Sequence, residues 1–271
     1  MSEPLGNPPA TNQAPPAEPL TKKVDTNAPV ASEENPAPEV VPTAETKDVK
    51  AKVEKPKKKT PEWIVNYNLI SGGLWGFILI NVLILAVLYG QPGLFELSSF
   101  WLTVTQCLAV TEIYNAAVGN VRSPVVTTTM QISSRLLIVL GVLQVLPNSP
   151  ANFSWIYFTL CIAWSITEVI RYYYYAVNIL TEGNPPYILK WLRYSTFLVL
   201  YPLGISSEWG MLYLSLNEAK ETVGVVYWAF FIANLAIYFP GSYVMYTYML
   251  KQRKKALNPK KKVAEEQKKT N

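Results

Sequence analysis

The sequence predicts an all-α, polytopic membrane protein with six transmembrane helices, a disordered N-terminal tail and a basic C-terminal tail. Three observations predict it. Apolar stretches long enough to cross a bilayer recur between Trp63 and Leu250, turn-forming residues separate them, and basic residues gather at alternate joints. A hydrocarbon core about 30 Å thick needs roughly 20 apolar residues in a helix. No water there satisfies an open backbone, and the alternation of a barrel strand is missing, so the stretches must be helical.

Residues 1–61 are rich in Pro, Ala, Glu, Lys and Thr and hold more than half of the 21 prolines, with no aromatic residue. Such a segment buries too little apolar surface to offset the entropy of ordering, so a disordered cytosolic tail is expected. The opening MSEPLGNPPA has neither a basic n-region nor an apolar h-region. No cleavable signal is therefore expected, and the first span serves as the insertion signal.

Residues 62–250 form the predicted six-helix domain, with spans at Leu69–Tyr89, Leu97–Val118, Val125–Leu146, Phe153–Ile179, Tyr187–Ser206 and Val223–Leu250. Breakers mark the joints at Gly90-Gln91-Pro92-Gly93, Ser123-Pro124, Pro147-Asn148-Ser149-Pro150 and Gly183-Asn184-Pro185-Pro186. In the first span, Ser71-Gly72-Gly73 with Gly76 offers a small-residue face to a neighbouring helix. Residues 251–271 form a basic cytosolic tail.

Lys/Arg bias sets the orientation. Lys55, Lys57, Lys58 and Lys59 precede the first span, and Lys251, Arg253, Lys254 and Lys255 follow the last. Arg122 marks the second joint, and Lys190 and Arg193 follow the fourth. The first and third joints have no basic residue, and the last carries Glu208, Glu218 and Glu221 against Lys220. This alternation places both termini in the cytosol. The net charge of +5 is concentrated in the tails, and it speaks of membrane orientation and not of a nucleic-acid partner.

The chain contains no histidine and only two cysteines, Cys107 and Cys161. Histidine-ligated iron chemistry and a Ser-His-Asp hydrolase are thereby excluded. Neither cysteine opens a phosphate loop with an arginine six residues on, so a cysteine phosphatase of the usual form is excluded too. Both thiols lie in apolar segments and read as core residues, with no metal or other cofactor implied. Proton chemistry must use Glu or Tyr, with Lys or Arg for electrostatics.

Ionisable side chains in hydrocarbon are costly and suggest function. Here they are Glu112, Arg135, Glu168, Arg171, Arg193, Tyr201 and Glu208. One reading is mutual pairing: Glu168 and Arg171 are three apart and share a helix face, as do Gln131 and Arg135, four apart. Arg193 either snorkels or, with Lys190, draws in a phosphate-bearing substrate. Tyr201 and Glu208 are seven apart, so both fall on one helix face about 10 Å apart along the axis. Between them, Pro202 removes an amide donor and collides with the carbonyl of Leu198, which predicts a bend and a cavity at that point. The other reading is an interfacial tyrosine and a loop glutamate.

Several motifs carry a resemblance. They are Tyr67-Asn68 with Trp75, Glu112-Ile113, Val121-Arg122-Ser123-Pro124, Met130-Gln131-Ile132-Ser133-Ser134-Arg135, Trp164 to Tyr175, and Trp191 to Glu208 with its Tyr-Pro-x-Gly-x-x-x-Glu. Over roughly Trp63 to Leu250 the chain closely resembles the very-long-chain (3R)-3-hydroxyacyl-CoA dehydratases, also called protein-tyrosine-phosphatase-like. The resemblance implies six spans in the endoplasmic reticulum membrane with both termini cytosolic. It implies the third step of fatty-acid elongation, loss of water from a 3-hydroxyacyl-CoA to give the trans-2-enoyl-CoA, and other elongation enzymes as partners beside membrane lipid. It places the catalytic pair on Tyr201 and Glu208. Many relatives carry a histidine where this chain has Asn115, three residues after Glu112, which leaves the Tyr/Glu pair untouched. Lys268-Lys269-Thr270-Asn271 resembles a dilysine retrieval signal for the same organelle.

Dehydration needs a base for the proton beside the thioester and an acid for the departing hydroxyl. Glu208 as base and Tyr201 as acid meet that need, and the reverse assignment meets it as well. Lys190 and Arg193 are then substrate-binding, and Arg135, Gln131, Glu168 and Arg171 orient the site. A transporter would also use a proline-broken helix and paired charges, but would show a second such helix in a related half, which this chain lacks. A non-catalytic scaffold of lipid-synthesis enzymes would tolerate replacement of Tyr201 and Glu208.

Overall fold

The computed structural model describes residues 61–121 and 123–258. The expectations for the N-terminal tail, for Arg122 and for the dilysine-like end lie outside them. Among the described residues the regular structure is entirely helical. In chain order the elements are α1 (Glu62–Leu88), α2 (Gly93–Leu108), α3 (Val110–Ala117), α4 (Val125–Leu136), α5 (Trp155–Leu180), α6 (Tyr187–Ser195), α7 (Phe197–Leu214), α8 (Leu216–Glu218) and α9 (Val225–Leu257). π-Helical turns extend α4 over Leu137–Gln144 and α8 over Ala219–Val223.

Among the described residues four helical stretches are long and apolar enough to cross a membrane: Glu62–Leu88, Gly93–Ala117, Val125–Gln144 and Val225–Leu257. The other two apolar stretches are helical but fall short for physical reasons. α5 carries Glu168, Arg171 and the run Tyr172–Tyr175, and the fifth stretch is divided at Thr196 into α6 and α7. Outward faces are strongly apolar. Ile70, Ile80, Val87 and Leu88 on α1 and Val226, Ile237, Phe239 and Val244 on α9 are all exposed. A continuous apolar surface of this kind suits hydrocarbon better than water.

Helix α5 occupies the centre, packing most extensively on α1 and then on α7, while α9 closes against α7 and α6. Trp75, Ile78 and Val82 of α1 meet Tyr157, Leu160, Cys161 and Trp164 of α5 in one apolar core, with Met211 and Leu212 of α7 and Phe231 of α9. Gly72 explains the close approach of α1 to α5: a Cβ there would lie 3.2 Å from the Tyr173 ring. Gly73 and Gly76 face open space, so only part of the small-residue face is used. Cys161 is buried in the core, whereas Cys107 is half-exposed.

Three boundaries correct the sequence reading. The helix interruption expected at Pro202 lies at Thr196, and Pro202 sits inside α7. The Thr196 hydroxyl bonds back to the Leu192 carbonyl at 2.9 Å, and its own carbonyl accepts from both Val199 and Leu200. The helix therefore tightens and restarts six residues before the proline, and Pro202 lies inside the new helix, where its missing N–H leaves the Leu198 carbonyl without its usual donor. Glu208 is no loop residue: α7 continues to Leu214, leaving Glu218, Lys220 and Glu221 to the joint. Finally, α9 runs on to Leu257, so Lys251, Arg253, Lys254 and Lys255 extend the helix beyond the expected end of the span.

Candidate active site

Two linked groups of polar side chains cross the helical core. The first joins α3, α4 and α5. Arg171 grips Glu112 with both terminal nitrogens, Nη1 to Oε2 and Nη2 to Oε1, each at 2.6 Å. Its Nε donates to Glu168 Oε2 at 2.6 Å. Arg135 Nη1 donates to Glu168 Oε1, and the Tyr172 hydroxyl donates to Glu112 Oε1. Two arginines and two glutamates thus neutralise one another. A planar guanidinium matches a carboxylate in this two-bond geometry, which a lysine could not reproduce. The expected Glu168–Arg171 pairing along one helix face is present. Gln131, by contrast, is exposed on α4, where its carbonyl accepts from Ser134, and it is not among the partners of Arg135.

The second group surrounds Glu208, which is 5 % exposed. Trp164 Nε1 on α5 donates to Glu208 Oε1 at 2.9 Å, and the Tyr238 hydroxyl on α9 donates to Oε2 at 2.9 Å. Trp164 connects the groups, because the Arg135 guanidinium lies 5.1 Å from the centre of its ring. Gly204, one turn before Glu208, lets α7 lie against this ring: a Cβ there would meet Trp164 Cδ1 at 4.0 Å and Ala163 Cβ at 3.7 Å. A second α5–α7 tie is the 2.8 Å contact between the hydroxyls of Thr159 and Ser207.

Tyr201 and Glu208 do fall on one face of α7, and that face meets α9. The Tyr201 hydroxyl lies 3.4 Å from the Ser242 carbonyl, and its ring stacks on Tyr246. The two side chains do not bond to each other; each has its own partner on α9. Clefts open at the surface away from this pair. Among the described residues, one such cleft is lined by Gln91, Pro92, Glu96 and Phe153 and another by Tyr187, Ile188, Trp191 and Leu192, and neither of these includes Tyr201 or Glu208.

The remaining residues singled out from sequence stand apart. Arg193 on α6 donates to the Tyr175 hydroxyl at 3.3 Å and lies over the rings of Tyr175 and Tyr194. Lys190, also on α6, is half-buried. Arg253 of α9 reaches Ser195 at the end of α6, donating from Nε at 3.3 Å. Asn115 is buried and accepts from Asn120 Nδ2 at 3.1 Å.

Sequence reasoning assigned no site role to Trp164, Tyr172 or Tyr238, and it named Glu112 only among the charges in apolar segments that suggest function or pair with one another. Trp164 had a usable signal, since it lies four residues before Glu168 on the same helix face. Tyr238 had none: it is one of several tyrosines in α9.

A family model described as protein tyrosine phosphatase-like protein, PTPLA, matches residues 106–259, which include Glu112, Arg135, Glu168, Arg171, Tyr201, Glu208 and Tyr238. This chain belongs to the protein tyrosine phosphatase-like family. Relatives match over nearly their whole length. The protein of Caenorhabditis elegans named very-long-chain (3R)-3-hydroxyacyl-CoA dehydratase hpo-8 is 41% identical over 72% of this chain and 94% of its own. A Schizosaccharomyces pombe relative named probable very-long-chain (3R)-3-hydroxyacyl-CoA dehydratase is 39% identical over 72% of this chain and 92% of its own. The Arabidopsis thaliana dehydratase PASTICCINO 2 is 39% identical over 74% of this chain and 95% of its own. No solved structure matches the chain. The family's description mentions a phosphatase, yet the two cysteines here, one buried and one half-exposed in helices, form no phosphate loop.

Proposed function

We propose that this protein removes water from long- and very-long-chain (3R)-3-hydroxyacyl-CoA, giving trans-2-enoyl-CoA in the third step of the fatty-acid elongation cycle. The observation that carries the reading is the near full-length similarity to dehydratases of that name. The buried, doubly hydrogen-bonded Glu208 on the same helix face as Tyr201 supports it.

Glu208, as a carboxylate, takes the proton from the carbon next to the thioester. The released electron pair forms the new carbon–carbon double bond while the bond from the β-carbon to oxygen breaks. Tyr201 gives its phenolic proton to the departing hydroxyl, which leaves as water. Once the product leaves, Glu208 releases its proton and Tyr201 takes one up from solvent, and the pair is reset. The paired charges of Glu112, Arg135, Glu168 and Arg171 fix α3, α4 and α5 around Trp164, so that the carboxylate has a stiff support. Arg193 and Lys190 supply positive charge on α6 for the phosphates of the CoA head.

The same reading gives six spans in the endoplasmic reticulum membrane, both termini in the cytosol, and contact with membrane lipid and other elongation enzymes. The alternation of basic residues along the joints supports the orientation.

Purified protein in liposomes should convert a long-chain 3-hydroxyacyl-CoA to its 2-enoyl product. Glu208→Gln and Tyr201→Phe should each lower kcat by about 10²–10⁴-fold, the range for loss of a general acid or base. Full turnover by both folded variants would overturn the assignment of the pair. Absence of turnover by the folded wild type across several chain lengths would overturn the activity.

A further inference from the structure

The two partners of Glu208 differ in kind. An indole N–H can only donate a hydrogen bond, so Trp164 can never receive one from a protonated Glu208. A phenol can donate or accept. During dehydration Glu208 must pass from carboxylate to carboxylic acid and back. A carboxyl held only by donors is well supported when ionised and poorly supported when it carries a proton. Tyr238, 2.9 Å from Oε2, is the one described partner able to serve both forms, by turning its O–H toward or away from the carboxyl.

We propose that Tyr238 is the positioning residue of the catalytic glutamate, holding its Oε2 through both charge states. The inference rests on the reading of Glu208 as the base. It also gives α9 a part in the site. Tyr238 and Ser242 are one helical turn apart, and they contact Glu208 and Tyr201 respectively. One stretch of α9 thus anchors both members of the pair and sets their separation. Tyr238 itself is half-buried between α7 and the apolar core, a setting that limits competing water.

The test uses the full chain in liposomes with a long-chain 3-hydroxyacyl-CoA. Tyr238→Phe keeps the ring and removes the hydroxyl. It should lower kcat about tenfold or more while leaving KM within about twofold, since the lost bond acts on the base and not on substrate binding. On the residual rate of Glu208→Gln, adding Tyr238→Phe should cause little further loss, because both changes strike one unit. Tyr243→Phe, at an exposed position of α9, should be indistinguishable from wild type. Wild-type kcat in Tyr238→Phe, with Glu208→Gln inactive, would overturn the role of Tyr238 and leave the base standing. So would losses that multiply in full in the double variant, which would mark a general structural effect. Near-normal turnover by Glu208→Gln would instead overturn the reading beneath. If Tyr238→Phe does not fold, fluorotyrosine at position 238 replaces it: a changed kcat at constant KM is expected, and an unchanged kcat would overturn the proposal.

Discussion

Arg171 touches two carboxylates at once, and its removal should be felt more than that of any surface arginine. Its side chain is 19% exposed, Glu112 is 15% and Glu168 is 4%. Replacing it by leucine would leave two poorly solvated acids with one remaining arginine between them. Breaking a buried pair from one side typically costs about 3–5 kcal/mol. Arg171→Leu should therefore unfold at markedly lower temperature in detergent, and Arg171→Lys should recover only part of the loss, because an ammonium cannot make the two-bond contact with Glu112. How much of this was legible depends on sequence distance. The Glu168–Arg171 contact follows from a spacing of three. Arg135–Glu168 and Arg171–Glu112 span 33 and 59 residues, where no local spacing gives a partner. Glu208 and Tyr201 were legible as a pair because seven residues bring two side chains to one face. That Trp164 and Tyr238 both bond to Glu208 was not legible, since each lies on another helix.

Among the helices, the joints were well marked in the sequence because Gly and Pro punctuate the chain whatever surrounds it. The interior irregularities were not. Pro202 signalled an interruption of the fifth stretch, but the side chain of Thr196 decides where it falls. The π-helical continuation of α4 had no sequence signal and is tied instead to a distant tyrosine: the Tyr227 hydroxyl donates to the Gly141 carbonyl at 2.9 Å. A Cβ on Gly141 would lie 2.8 Å from that hydroxyl oxygen and 3.1 Å from Leu137 Cδ1. Gly141→Ala should consequently cost about 1–3 kcal/mol by crowding a packed contact. Thermal unfolding of the single variant against Gly141→Ala/Tyr227→Phe checks the cause. The second change should return part of the loss, since it deletes the atom that collides.

For the whole molecule, composition was enough to foresee a helical membrane protein, and four stretches meet the demands of length and hydropathy. α5 and α7 fall short through polar side chains, some of them in the candidate site: Glu168, Arg171 and the tyrosines after it on α5, and Ser206, Ser207 and Glu208 on α7. Chemistry and hydropathy conflict most in these two helices. The proposed six-span topology is checked by inserting glycan acceptor tags. Tags at the joint Gln91–Gly93 or Pro147–Pro150 should be glycosylated in microsomes, and a tag at Gly183–Pro186 should not. Glycosylation at the last of these would reverse or break the alternation.

The cross-helix ion pairs also impose an order of events during synthesis. Glu112 and Arg135 leave the ribosome before the residues that neutralise them, and neither bonds to the other. Until Glu168 and Arg171 arrive on α5, the newborn chain carries two uncompensated charges in or beside the lipid, each with a tax on insertion. α5 in turn cannot settle alone, because it brings one acid and one base whose remaining bonds lie on α3 and α4. On the proposed six-span topology the three helices are expected to settle in the bilayer as a cohort, and a chain truncated before Glu168 should stay extractable from microsomes where the full chain does not.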